Sequence, residues 1–138
     1  MDIKKLEKAL TELVEKKIVL SGLNYSDEKY DDLEEELHDM EDDFVETYGD
    51  YLEDALHSVH DEFCPDNEVL LPIAYLANEY VKKEVDGKVL YTTMTNQGVP
   101  VDVDDFPDKK PRLVLIPGPT RLVLILDNQN QQVVWKAE

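Results

Sequence analysis

Apolar residues recur at helical spacing through the first half of the chain. Over residues 3–20 they return every three or four positions with Lys and Glu between them, which predicts an amphipathic helix that ends before Ser21. A second stripe starts after Ser26, a residue type that commonly caps helices, and continues almost in phase past Gly49 to residue 63. This pattern predicts either one long bent helix or two helices in series.

The second half of the chain is patterned mainly as strands. Residues 68–85 are ambiguous between helix and strand, because Pro72 suits the first turn of a helix whereas Asp86-Gly87 suits the turn of a hairpin between two strands. We favour a short helix over residues 72–83. Strands are predicted over residues 88–95 and 99–103, followed by an acidic loop.

The segment Arg-Leu-Val-Leu-Ile occurs twice, at 112–116 and at 121–125, with a Pro-Gly-Pro-Thr turn between the copies. Such a turn predicts that the copies pair antiparallel, and a last strand follows over residues 132–136. Because residues 122–126 are apolar on both faces, both faces of this sheet need cover. Helices can cover one face, and the other needs a sheet that curls on itself or a second chain. We expect a homodimer through the sheet.

Together these elements predict an α+β fold. An N-terminal acidic hairpin of two or three helices, residues 1–67, packs on residues 68–138, which form a short helix and an antiparallel sheet of four to five strands. With 138 residues, of which 42% are hydrophobic, the chain can bury one core, so a single domain over residues 1–138 is expected.

The acidic charge is concentrated in one segment. The chain has 32 Asp and Glu against 14 Lys and Arg, and residues 27–68 alone hold 19 acids against the single base Lys29. Such a surface repels phosphate, so nucleic acid is not an expected partner. No apolar run approaches the length of a membrane span or a signal peptide, and the lone Cys64 cannot form an internal disulfide. We therefore expect a cytoplasmic protein that does not contact membranes.

The residues with the strongest metal-ligand character lie on one side of the second predicted helix. His57, His60 and Cys64 are separated by helical spacings, and Glu53 joins them. Imidazole, thiolate and carboxylate groups are ligands of zinc and transition metals. By helical phase this side lies opposite the apolar stripe, so a solvent-exposed face is expected, with a metal site as the alternative.

No motif for nucleophilic catalysis or for a nucleotide cofactor is present. None of the three serines stands in a Gly-x-Ser-x-Gly motif, and neither a Gly-x-Gly-x-x-Gly nor a Walker sequence occurs. We therefore predict no catalytic residue and no cofactor.

The stretch over residues 26–37 is similar to the helical hairpin of NAD-dependent DNA ligases, where a Ser-Asp-x-x-Tyr-Asp-x-Leu segment helps to bind the nicotinamide half of NAD. Asp27, Tyr30 and Asp31 stand at the matching positions. The upstream Tyr-His pair of that family and its adenylated lysine motif are absent from this chain. The resemblance covers roughly a quarter of the sequence, and we infer no family membership from it.

The leading functional interpretation is a non-enzymatic adaptor, inhibitor or chaperone-like protein. It would dock a basic protein partner on its acidic helix, at Glu34, Glu35, Asp42 and Asp43. One alternative is a small metal-dependent enzyme or metal sensor built on the two histidines named above. Another is a ligand-binding domain with a pocket between helices and sheet, for which the sequence names no residue.

Overall fold

The computed structural model describes all 138 residues and has an α+β fold. Two α-helices, α1 (Ile3–Ser21) and α2 (Tyr30–Phe63), precede a 3₁₀ turn (Pro72–Tyr75) and six strands. The strands are β1 (Val81–Val85), β2 (Lys88–Thr92), β3 (Val99–Pro100), β4 (Arg112–Ile116), β5 (Arg121–Ile125) and β6 (Gln131–Lys136). The predicted fold class and the order of a helical half before a sheet half are confirmed.

Helix α1 follows the predicted pattern closely. The Asp2 carboxylate accepts a hydrogen bond from the Lys5 backbone N–H at 3.1 Å and caps the helix, and Gly22 follows its last residue. Ile3 is partly buried, and four further apolar residues of the inner stripe are fully buried. These core residues are Leu6, Leu10, Leu13 and Val14.

Helix α2 begins later than the sequence predicts. The Asp27 carboxylate accepts a hydrogen bond from the Lys29 backbone N–H at 2.9 Å, and the residues before Tyr30 form turns instead of the first helical turn. Aspartate side chains that bond the nearby backbone compete with helix in this way. The prediction that Ser26 caps the helix is therefore wrong.

Gly49 does not interrupt α2, which runs as one helix of 34 residues. A glycine inside a helix costs only about 1 kcal/mol relative to alanine. The apolar side chains on either side of it, Phe44 and Leu52, are both buried, so packing holds the helix together across this position. At 1.5 Å per residue the helix is about 51 Å long.

The segment that was ambiguous in sequence contains a helical turn and then a strand of a hairpin. Only Pro72–Tyr75 is helical, as a single 3₁₀ turn, and strands β1 and β2 pair antiparallel around Asp86 and Gly87. These two residues have φ values of 52° and 78°, the left-handed conformations that a two-residue type I′ turn requires. A short helical turn does begin at Pro72, but the expected extent to residue 83 is wrong, and the hairpin alternative is right for residues 81–92.

The strands form two sheets instead of one. Strands β3-β4-β5-β6 make a four-stranded antiparallel sheet in that order, and β1-β2 form a separate two-stranded sheet. The two Arg-Leu-Val-Leu-Ile copies are β4 and β5, which pair antiparallel with Val114 opposite Val123, as predicted.

Both faces of the repeated strands are buried within one chain. Trp135, which pairs with Leu122 in the sheet, packs edge-on against Tyr51 of α2 with ring centroids 5.8 Å apart, so the leucine side faces that helix. The valine and isoleucine side is buried equally well, and each apolar residue of β4 and β5 is at most 3% exposed. The expected homodimer rested on an exposed second face, and the structure has none on these strands.

Candidate functional site

The acidic residues of α2 are the most concentrated charge on the molecule. The helix holds fifteen Asp and Glu and no Lys or Arg, and ten of these acids lie between residues 31 and 46, the acidic segment. In this segment only Leu37 and Phe44 are buried. Four of its ten acids are the predicted partner-binding residues. Glu35, Asp42 and Asp43 are exposed, and Glu34 is half-buried.

The acidic segment is almost without compensating contacts. One ion pair reaches it, between Lys16 Nζ and Glu36 Oε2 at 2.8 Å, and the other two ion pairs of the structure lie elsewhere. Glu35, Asp39 and Asp43 follow one another four residues apart, a spacing at which like charges destabilise a helix by about 0.2–0.5 kcal/mol per pair. The segment therefore carries a stability cost that its own contacts do not offset.

His60, a candidate metal ligand, lies in the core with both ring nitrogens occupied. Its side chain is 2% exposed, Nδ1 lies 3.1 Å from the Asn67 carbonyl oxygen, and Nε2 lies 2.8 Å from the Tyr75 hydroxyl. Because a carbonyl only accepts, Nδ1 donates to Asn67, and Nε2 of the neutral ring accepts from Tyr75. The backbone N–H of Leu70 donates to the same hydroxyl. His60 thus ties the end of α2 to the segment that follows it.

The other candidate ligands do not gather around His60. Cys64 is buried, and burial, helped by the nearby Asp102 carboxylate, raises the pKa of its thiol to about 11. His57 is exposed and Glu53 is half-buried. No group of three or more metal-ligating side chains converges in the structure. The expectation of a solvent-exposed face is wrong for His60 and Cys64, and metal binding stays a prediction that metal analysis of the purified protein would test.

A polar cleft of about 940 Å³ opens between the two halves of the molecule. Its walls come from α1, the first half of α2, the 3₁₀ turn, the loop before β3 and the first residue of β4. Polar side chains dominate the lining. They are Lys17, Ser21, Tyr25, Tyr30, Glu34, His38, Glu41, Asn78, Asn96, Gln97 and Arg112.

The sheet side of the cleft is held by close backbone packing. Gly98 has a φ of 91°, and a Cβ atom at this position would lie 2.4 Å from the Leu113 carbonyl oxygen, so only glycine fits. The Gly98 carbonyl accepts a hydrogen bond from Arg112 Nη1 at 3.1 Å, and the Gln97 side-chain oxygen accepts from the Asn78 backbone N–H at 2.8 Å. The loop before β3 therefore lies close against β4, and its Gly98 carbonyl holds one side of the Arg112 guanidinium.

Two cations line this cleft without forming ion pairs. Lys17 is half-buried, and burial lowers the pKa of its ammonium, an effect that the nearby Glu41 partly opposes. Arg112 is also half-buried, and its one protein hydrogen bond is to Gly98. The cleft residues come from separate parts of the sequence and form no local motif, so sequence reasoning could not assemble them.

No protein-family model, no curated protein and no solved structure matches the chain. The resemblance of residues 26–37 to NAD-dependent DNA ligases is therefore without support from these comparisons. No helix in the structure combines the length and the apolar character that crossing a membrane requires.

Proposed function

We propose that the chain is a non-enzymatic protein that docks a basic protein partner through the acidic segment of α2. The observation that carries this proposal is the set of ten acidic side chains with a single ion pair among them. Carboxylates that repel one another and form no intramolecular ion pair can bind the cations of a partner. Glu35, Asp42 and Asp43 are exposed in this segment, and Glu34 lies beside them.

Charge of this density favours fast and selective encounters. Complementary potentials steer a partner toward the surface and repel partners of the wrong sign. At physiological salt such attraction acts over about 8 Å, and at 1 M salt over about 3 Å. Docking on the acidic segment is therefore expected to weaken steeply as salt rises.

The experiment compares two variants that lose the same amount of charge. The first carries Glu35→Gln, Asp39→Asn, Asp42→Asn and Asp43→Asn, and leaves Glu34 unchanged because it lines the cleft. The matched control neutralises the acidic loop before β4 with Asp→Asn changes. Its four positions are Asp102, Asp104, Asp105 and Asp108.

A partner captured by the wild-type chain from its source cells is purified, and its affinity for the three proteins is measured by calorimetry. We expect the α2 variant to bind at least about tenfold more weakly, since each exposed charge contributes about 0.2–1 kcal/mol, and to lose most of the salt dependence. The loop variant should keep the wild-type affinity. Equal affinities for the α2 variant and the wild type at all salt concentrations would refute docking on α2.

Metal binding at His57 and His60 would require a local rearrangement. His60 would have to give up its bonds to Asn67 and Tyr75 before it could bind a metal, and no convergent ligand group is present.

A further inference from the structure

The two arginines of the chain occupy the same place in the two Arg-Leu-Val-Leu-Ile copies, and they have different surroundings. The guanidinium of Arg121 donates three hydrogen bonds to backbone carbonyls. The guanidinium of Arg112 donates one, to Gly98. A guanidinium has five N–H donors, so most donors of Arg112 remain free at the wall of the cleft.

Free arginine donors in a cleft suit a carboxylate or a phosphate. The planar guanidinium binds either group through two parallel hydrogen bonds, which are among the strongest in proteins. Acids outnumber bases by 32 to 14 in this chain, yet Arg112 has no carboxylate partner. The cleft therefore keeps a positively charged donor group open inside a strongly negative protein.

Lys17 adds a second positive charge to the same cleft. Its ammonium is half-buried, so it has lost part of its hydration, and it forms no ion pair. The lowered pKa of Lys17 reflects this cost of burial. An anion that enters the cleft would offset it.

The remaining charges of the cleft limit what can bind. Glu34 and Glu41 balance the charges of the two cations. The other titratable residues of the lining are His38 and two tyrosines, Tyr25 and Tyr30. A ligand with several separate anionic groups would be repelled by these carboxylates. A ligand with one anionic group and an uncharged or positively charged remainder meets no such repulsion.

We propose that the cleft binds a small polar molecule through one carboxylate or phosphate group, with Arg112 as its two-bond anchor and Lys17 as the supporting cation. The volume of about 940 Å³ lies at the upper end of the range for small-molecule sites. Glu34 and Glu41 of the acidic segment line the cleft, but the two proposed anchors, Arg112 and Lys17, lie outside that segment. Binding also requires no protein partner, so it can be measured separately from the docking proposed above.

The test uses the full chain labelled with ¹⁵N, whose two arginines give two side-chain Nε signals. Acetate and N-acetylglutamine serve as carboxylate probes, inorganic phosphate and AMP as phosphate probes, and choline as a cationic control at matched ionic strength. We expect saturable shifts of the Arg112 signal with a carboxylate or a phosphate probe. The Arg121 signal should stay in place, and comparison of the two probe sets identifies the anionic group.

Three variants test the assignment. Arg112→Gln and Lys17→Gln should each weaken the best probe by about tenfold or more, the effect expected for a lost charge-assisted hydrogen bond. Lys83→Gln, which removes an exposed charge of β1 outside the cleft, should change its affinity less than about twofold. If Arg112→Gln does not fold, Arg112→Lys replaces it and should show a weakened but measurable affinity, because it keeps the charge and loses the planar fork.

Three results would overturn the proposal. The first is the absence of saturation by any anionic probe below about 10 mM. The second is an Arg121 shift as large as that of Arg112, or binding of choline in place of the anions. The third is a Lys83→Gln variant that weakens binding as much as Lys17→Gln does.

Discussion

The acidic residues of the two helices differ in the contacts that they make with the rest of the fold. In α1, the Glu7 carboxylate accepts hydrogen bonds from the Gly118 backbone N–H at 2.7 Å and from the Thr120 hydroxyl at 2.6 Å. Glu15 forms an ion pair with Lys82 at 2.8 Å and accepts a hydrogen bond from the Tyr91 hydroxyl. In α2, one of fifteen acids forms an ion pair.

The difference separates charge that holds the fold from charge that does not. The α1 carboxylates connect the first helix to both sheets, across more than seventy positions of the chain. Most of the α2 carboxylates face solvent, and those one helical turn apart repel one another. The helix is held by its apolar stripe and by its buried C-terminal end, so its acids are free for another role.

Loss of His60 should give the largest change in stability. Its side chain anchors the C-terminal end of α2 to the following segment, whereas the acidic segment makes almost no stabilising contacts. His60→Ala leaves a cavity and deprives the Asn67 carbonyl and the Tyr75 hydroxyl of their partner. We expect a loss of about 3 kcal/mol in the free energy of unfolding, measured by urea denaturation. The matched change His57→Ala, on the exposed side of the same helix, should stay within about 0.5 kcal/mol of wild type. Similar losses for both variants would contradict the core role of His60.

Substitution of Glu7 tests the structural role of the α1 acids. Glu7→Gln keeps the shape of the side chain and weakens both bonds to the β4-β5 turn, so a loss of about 2 kcal/mol in unfolding free energy is expected. Glu12→Gln removes the same charge from an exposed position of α1 and should have little effect. If the two variants were equally stable, the α1 acids would be no more structural than those of α2.

Glu15 should make stability depend on pH in a defined direction. Its bond to Lys82, and then its bond to Tyr91, lower the pKa of the carboxyl below the ordinary value. The stabilisation is therefore complete above the unfolded-state pKa and is lost as the pH falls through the lower folded-state pKa. Because the side chain is 38% exposed, the contribution is at most about 1 kcal/mol.

Denaturation of wild type and Glu15→Gln between neutral and acidic pH measures this contribution. The gap in unfolding free energy should be constant at neutral pH and should close as the solution is acidified. If the difference in unfolding free energy increased on acidification, the expected direction of the Glu15 contribution would be contradicted.

Light scattering should show no association at all. The apolar faces of β4 and β5 are already buried within one chain, so they supply no surface for pairing. We expect a mass near 15.9 kDa at low micromolar concentration and physiological salt. A dimer mass would point to a contact outside these strands.

Regular patterns along the chain predicted much of the fold. The helical stripes of α1 and α2 and the repeated strands were identified because each depends on residues close in sequence. The start of α2 and the 72–83 segment were mispredicted, because the Asp27 turn and the Asp86-Gly87 turn outweighed the helical pattern locally.

The site residues were harder to predict, because they depend on tertiary packing. His60 looked exposed by helical phase, and it is buried because the segment through Asn67 and Tyr75 folds back over the end of α2. Arg112 and Arg121 stand in identical sequence repeats, so the local sequence does not distinguish them. Their surroundings in the fold differ. Arg112 donates one hydrogen bond, to Gly98, whereas Arg121 bonds the backbone of the β4-β5 turn and has fewer free donors.

The most direct test of the difference between the helices is the stability of the α2 variant with Glu35→Gln, Asp39→Asn, Asp42→Asn and Asp43→Asn. Its unfolding free energy in urea, at low salt and at 1 M salt, is compared with that of wild type. We predict that the variant is more stable by about 0.5–1 kcal/mol at low salt, and that the difference shrinks at high salt as repulsion is screened. A variant that is less stable than wild type by about 1 kcal/mol or more would show that these acids hold the fold after all.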